Sequence, residues 1–154
     1  MSVMPQSLSA VYVHTVFSTK ERRRYIQTPE LKTELHAYLG GISNQLGCAP
    51  LIVGGVEDHV HILARQSRTI TLADWVRDLK SGSSTWIKER NPGLLQFAWQ
   101  GGYGAFSVDS AGVEQVRAYI RNQEEHHRAW SFQDEFRKLL EEHDLAWNEK
   151  YVWD

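Results

Sequence analysis

The sequence predicts one α+β domain over residues 1–154, a ferredoxin-like βαββαβ sandwich with an antiparallel sheet and added C-terminal helices. Three observations predict it. Segments with strand and helix periodicity follow in the order strand, helix, strand, strand, helix, strand. Only Glu57 and Asp58 separate the second and third strand segments, which calls for an antiparallel hairpin. Finally, 154 residues, 42% of them hydrophobic and 23% charged, suffice for one sizeable core and leave no material for a second. In this split βαβ topology two helices cover one sheet face, leaving the other for ligands or further elements.

The first segment covers residues 8–18. Val11, Val13 and Phe17 share one face and Tyr12, His14 and Val16 the other, so it reads as a strand buried on both sides. A basic turn, residues 20–24, follows. Thr28 then supplies an N-cap and Pro29 a first-turn proline for a helix whose apolar stripe is Leu31, Leu35, Tyr38, Leu39, Ile42 and Leu46. Gly47 ends that helix. Residues 50–56 and 59–65 form the hairpin, although its turn lacks the usual glycine. Thr71 and Asp74 make a capping-box-like start for a second helix, carried by Leu72, Val76, Leu79, Trp86 and Ile87 to about Arg90. The stretch Ser81-Gly82-Ser83-Ser84 is expected to interrupt it, and Asn91-Pro92-Gly93 to stop it. Residues 103–109 make the last strand. Ser110 is then expected to cap a third helix that opens with Val113, Val116 and Ile120 and continues toward Arg128, and a short helix over about 132–143 carries the acidic end of the chain.

Charge and composition exclude several classes. Net charge is −2, yet residues 1–123 hold 13 basic and 10 acidic side chains against 4 and 9 in residues 124–154, so the body is weakly basic and compatible with a polyanionic partner. The single cysteine, Cys48, excludes an intrachain disulfide and a cysteine-cluster zinc site, which fits a reducing cytoplasm. No apolar run approaches the roughly 18 residues of a membrane span, and the polar start at residues 1–6 lacks a signal-peptide core. A cytoplasmic protein without a membrane partner is expected.

Two constellations carry chemistry. In His59-Val60-His61 both imidazoles project from one strand face and can reach one metal ion, while Val60, Ile62 and Ala64 pack on the other. Three residues specify little alone, since two histidines also fall on a polar face by chance. In the third helix, Tyr119 and Gln123 stand at i and i+4 beside the stripe of Val113, Val116 and Ile120, so a phenol and an amide face one place. Lesser features are Arg22, Arg23 and Arg24 with Lys20 on the basic turn, Arg77, Lys80, Lys88 and Arg90 on the second helix with Trp86 beside them, and Arg121 next to Tyr119, whose charges are candidate DNA contacts. Trp86 is expected in the core. His126 and His127 read as exposed surface histidines, and Gly102-Tyr103-Gly104-Ala105-Phe106 as an RNA-recognition-like aromatic pattern with one residue too many.

The chain resembles the single-tyrosine HUH transposases, the insertion-sequence (IS200-like) and REP-associated tyrosine transposases of bacteria. The resemblance rests on Glu57-Asp58-His59-Val60-His61-Ile62-Leu63, on residues 99–108 (WQGGYGAFSV), and on Tyr119-Ile120-Arg121-Asn122-Gln123-Glu124-Glu125-His126-His127, with weaker matches in the opening strand and in Tyr151-Val152-Trp153-Asp154. It implies that residues 1–154 form one HUH nuclease domain, that His59, His61 and Gln123 bind a divalent metal, Mg2+ or Mn2+, and that Tyr119 is the nucleophile. It further implies single-stranded DNA with hairpin ends as the partner, nucleoid association during action, and a homodimer in which the helix of Tyr119 meets the histidine pair of the other subunit. The residue types agree: a phenol of pKa about 10 needs help at neutral pH, and a cation held by neutral ligands can polarise a scissile phosphate. Two other readings stand beside this one: a non-catalytic, domesticated binder of single-stranded or hairpin nucleic acid, and a zinc hydrolase built on the histidine pair, for which no third ligand lies nearby in sequence.

Overall fold

Side-chain alternation along the two central strands sorts the domain into layers. The computed structural model describes residues 4–154, so the first three residues of the polar start lie outside the described residues. Strands β1 (Tyr12–Ser18), β2 (Ala49–Val56), β3 (His59–Arg65) and β4 (Gly104–Val108) form one antiparallel sheet in the order β2-β3-β1-β4. Helices α1 (Pro29–Gln45) and α2 (Leu72–Arg90) cover one face, where Val13, Phe17, Val60, Ile62 and Ala64 meet Leu35, Leu39, Trp75 and Leu79 in the main core. This is the ferredoxin-like arrangement that the segment order predicts.

The other face presents His14, Val16, His59, His61 and Phe106. It is covered by α3 (Val113–Arg121), the short α4 (Gln123–His126) and α5 (Phe132–Glu142). A second apolar cluster of Val16, Phe106, Phe132, Phe136, Leu139 and Leu140 anchors α5 there, with Trp147, Val152 and Trp153 packed on its rim. Burying side chains of this size stabilises by roughly 1.5–3 kcal/mol each, so α5 is held as firmly as a core helix. No helix among the described residues is long and apolar enough to cross a membrane.

Local signals place most elements. Thr28 Oγ1 accepts the Leu31 amide, Thr71 Oγ1 the Asp74 amide, and Ser131 Oγ the Asp134 amide, each closing one unpaired donor of a helix start. Gly47, at φ 81°, takes the left-handed turn after α1.

Several sequence expectations change. β1 starts at Tyr12, not residue 8, because Tyr12 already pairs with Arg65 and Val108, the last residues of its two neighbours. α2 runs unbroken through Ser81-Gly82-Ser83-Ser84. Gly82 and Ser83 face α1 and the core: a Cβ on Gly82 would sit 2.8 Å from Ile42 Cδ1, and buried Ser83 bonds back to the Leu79 carbonyl while accepting the Trp99 indole N–H. Asp109, not Ser110, caps the turn into α3 through the Gly112 amide. The third helix stops at Arg121, because Asn122 (φ −94°, ψ 21°) leaves helical geometry, and restarts as α4 with Gln123 aimed inward. Trp86 is only partly buried and stacks on Tyr38.

Two adjacent glycines of β2 seat the site. The hairpin turn, Glu57-Asp58, has no glycine; Gly55, inside β2 and paired with Val60, takes φ 148°, and a Cβ there would lie 2.2 Å from the His59 carbonyl oxygen. At Gly54 a Cβ would meet both Cγ2 and the carbonyl oxygen of Ile120 at 2.7 Å, so α3 rests directly on the strand backbone. Gly54→Ala is therefore expected to lift α3 and lower stability by about 1–3 kcal/mol, whereas Gly41→Ala, in open space on α1, should be neutral or stabilising. Urea denaturation of both variants checks this, and equal stabilities would contradict the close approach.

His36 on α1 gives a pH signature. Burial, with the nearby Lys32 and His61 adding to it, lowers its pKa to about 4, and its Nε2 has no hydrogen-bond partner. The unfolded chain takes up a proton near pH 6.5 and the native one only near 4, so this contribution to stability is intact above 6.5 and lost progressively below it. His36→Gln should flatten the fall in stability between pH 6.5 and 4; an unchanged slope in denaturation midpoints would oppose the assignment.

Candidate metal and nucleophile site

β3 delivers His59 and His61 to the α3–α5 face, both fully buried. Each ring is held from behind. His59 Nδ1 lies 2.6 Å from Asp58 Oδ1, and His61 Nδ1 lies 2.8 Å from Nε2 of buried His14 on β1, so both Nε2 atoms face the interior of the site. Partners of this kind fix the orientation of a metal-binding imidazole.

Tyr119 from α3, Gln123 from α4, His126 and His127 after it, and Glu135 from α5 close the other side. Glu135 is the hub. Its Oε1 lies 3.2, 3.1 and 3.0 Å from Nε2 of His59, His61 and His127, and its Oε2 accepts the Tyr119 hydroxyl and, at 3.0 Å, the Gln123 amide N–H. Gln123 Oε1 is 3.0 Å from His59 Nε2, and His126 Nε2 stands 3.4 Å from Glu135 Oε2. Among the described residues one group of metal-capable side chains, His59, His61, His127 and Glu135, has its ligand atoms within 4.8 Å of one another. Imidazole nitrogens with a carboxylate oxygen suit a divalent transition metal, so the residues present fit such an ion.

The electrostatics follow from burial. Burial opposes charge on His59, but hydrogen bonds to the carboxylates of Asp58 and Glu135 outweigh it and raise its pKa to about 9. His61 goes the other way: burial lowers it, with His59 and His127 reinforcing that against the pull of Glu135. Burial would raise Glu135, but the surrounding imidazoles hold its carboxyl far below the usual range. Burial and the adjacent Glu135 push the Tyr119 phenol well above its ordinary value. The nucleophile candidate is therefore a protonated phenol unless a positive charge enters the cluster.

The four residues singled out by sequence, His59, His61, Tyr119 and Gln123, thus meet in one chain. His126 and His127 are not the surface histidines expected, since both turn toward Glu135 once Asn122 breaks the helix. His127 and Glu135 are metal-capable side chains of the kind that the zinc-hydrolase reading lacked nearby in sequence. Glu135 had a signal in the sequence. It shares the buried stripe of Phe132, Phe136, Leu139 and Leu140, where an acid is out of place.

The DNA-contact candidates scatter. Arg77, Lys80 and Lys88 line one groove of about 470 Å³ with Trp99, Gln100 and Tyr103, although Lys80 Nζ already donates to the Gln100 and Gly102 carbonyls and Arg77 pairs with Asp74 and Asp78. Arg22 lies over the Trp153 ring, Arg23 pairs with Glu21, and Arg24 and Arg121 are exposed. A cavity of about 620 Å³, walled by Phe106, Val116 and Leu139, opens beside Tyr119 and Glu135.

Two solved structures share this fold. A candidate transposase from Deinococcus radiodurans R1 is 24% identical with a TM-score of 0.63, over 80% of this chain and 98% of that one. A REP-associated tyrosine transposase, solved bound to a REP hairpin, is 12% identical with a TM-score of 0.55, over 85% of this chain and 76% of that one. A sequence comparison with curated proteins finds no match. Residues 7–123, which reach from before β1 to Gln123, match the family described as Transposase IS200 like, and the chain belongs to that family.

Proposed function

We propose that residues 1–154 form one metal-dependent, single-strand DNA transposase domain that cuts and rejoins DNA through Tyr119. The observation that supports this best is the convergence of the Tyr119 hydroxyl and the Gln123 amide on the carboxylate faced by His59 and His61. The Tyr119 oxygen attacks the scissile phosphorus in line, the P–O3' bond breaks, and the departing 3'-oxygen takes up a proton. The 5' side of the cut strand is left as a phosphotyrosine. Because one ester replaces another, a different 3'-hydroxyl reverses the step and joins strands without ATP. His59, His61 and Gln123 would hold a divalent cation, Mg2+ or Mn2+, which when bound would supply positive charge for polarising the phosphate and favouring the phenolate. Asp58 and His14 keep the two imidazoles aimed, while the open cavity beside Tyr119 gives a DNA strand access to the phenol.

The groove along α2, with Arg77, Lys80 and Lys88 beside Tyr103, is the proposed seat of a DNA hairpin, in line with the hairpin-bound relative. Arg22, Arg23, Arg24 and Arg121 are proposed as phosphate contacts elsewhere on the strand's path. A non-catalytic binder of the same fold would have no use for the buried cluster around Tyr119.

Tyr119→Phe is expected to abolish cleavage and the covalent protein–DNA adduct while leaving hairpin binding within about twofold, because only the nucleophilic oxygen is lost. Wild-type cleavage by that variant would remove Tyr119 as nucleophile. His59→Ala and His61→Ala should lose cleavage and keep hairpin binding, with Mn2+ supporting the wild type at least as well as Mg2+. Cleavage that survives exhaustive chelation would contradict the metal requirement.

The homodimer with composite sites implied by family resemblance has a separate test. Tyr119 and both histidines meet here within one chain, and a composite arrangement would require α3 to leave its seat on Gly54. Mixing Tyr119→Phe with His61→Ala subunits is therefore expected to restore no cleavage, and partial recovery in verified heterodimers would establish sites shared between subunits.

A further inference from the structure

Three imidazole nitrogens converge on one carboxylate oxygen: Nε2 of His59, His61 and His127 lie 3.2, 3.1 and 3.0 Å from Glu135 Oε1. Around an ion bonded at about 2.0–2.1 Å, neighbouring ligand atoms stand roughly 3 Å apart. The three distances from Glu135 Oε1 match that separation, and all four ligand atoms lie within 4.8 Å of one another.

Their orientation points the same way. His127 Nδ1 lies 2.6 Å from the Trp130 carbonyl oxygen, and His59 Nδ1 lies 2.6 Å from the Asp58 carboxylate. Both partners only accept, so each Nδ1–H is engaged from behind and each Nε2 is left facing the centre, where a cation can take the place of a proton. Glu135 has a second task, since its Oε2 accepts the Tyr119 hydroxyl and the Gln123 amide while its Oε1 faces the imidazoles.

We propose that His127 and Glu135 complete, with His59 and His61, a divalent transition-metal site within a single chain, and that Glu135 bridges this ion to the Tyr119 hydroxyl. The inference rests on the nuclease reading for the histidine pair and Tyr119. It goes further by drawing two ligands from beyond residues 7–123, the part of the chain that matches the family. Three imidazoles and one carboxylate select Mn2+, Co2+ or Zn2+ over Mg2+. Gln123, whose amide donates to Glu135 Oε2, then acts as a positioning residue for the carboxylate in addition to any contact with the ion. Glu135 positions the nucleophile, and its loss should uncouple Tyr119 from the metal.

The test is metal binding by the full chain without DNA. Calorimetric titration with Mn2+ and the visible ligand-field bands of the Co2+-loaded protein are compared across wild type, His59→Ala, His127→Gln and Glu135→Gln, with circular dichroism reporting the fold of each. The expected result is that His59→Ala abolishes binding, and that His127→Gln and Glu135→Gln each weaken it by more than about tenfold and shift the Co2+ bands. Should either variant fail to fold, pulsed EPR of the Cu2+-loaded wild type counts coordinated imidazoles directly: three support the assignment and two overturn it. Binding lost in His59→Ala but unchanged in affinity and spectrum in His127→Gln and Glu135→Gln would overturn the enlarged ligand set and leave the histidine-pair reading standing. No binding by the wild type, or binding indifferent to His59, would overturn both.

Discussion

The buried carboxylate of Glu135 sets the terms for the whole α3–α5 face. Taking a carboxylate out of water costs several kcal/mol unless partners replace its hydration, and here the partners come from four separate segments: His59 and His61 from β3, Tyr119 from α3, Gln123 from α4 and His127 from the turn after it. Displacing any one of these elements would leave an uncompensated buried charge. The helices are thus held in register with the sheet by one acid as much as by apolar packing, and the same demand assembles the candidate catalytic groups.

Short side chains can meet only if their backbones come close, and glycine provides the approach on both flanks. Gly54 lets α3 lie on β2, next to the residue carrying the phenol. Gly104 of β4 does the same for α5, since a Cβ there would lie 2.5 Å from the Phe136 ring, the residue after Glu135. The pattern over residues 102–106, which resembled a nucleic-acid recognition signature, serves partly, through Gly104 and Phe106, as the floor beneath α5. Charge in residues 124–154 has a comparable structural use: Glu149 gathers Arg137, Trp147 and Trp153, and Trp153 in turn packs on Phe132 and Phe136. The acidic end of the chain therefore braces the helix of the central acid, and Arg22, a DNA-contact candidate, lies over the Trp153 ring.

The two faces of the sheet divide the labour. The α1–α2 side is a conventional apolar core, so its strand residues can be large and branched without polar obligations. The α3–α5 side mixes an apolar cluster with a fully engaged polar one, and the open cavity lies at their junction beside Tyr119.

Local chemistry in the sequence determined the element order, the helix starts at Thr28, Thr71 and Ser131, and the facing of His59 with His61, because caps and strand alternation act over a few residues. It also contained the family signature, most of which the first 123 residues carry. Other features were decided by contacts that no local pattern encodes. The unbroken α2 depends on Ile42 and Trp99 packing onto its small residues. The inward turn of His127 depends on the break at Asn122, and the role of Glu135 on four elements closing around it. An acid on an apolar stripe marks a buried charge, but only the tertiary structure supplies the imidazoles and the phenol that make it tolerable, since a charge can be buried only where the whole fold brings its partners to it.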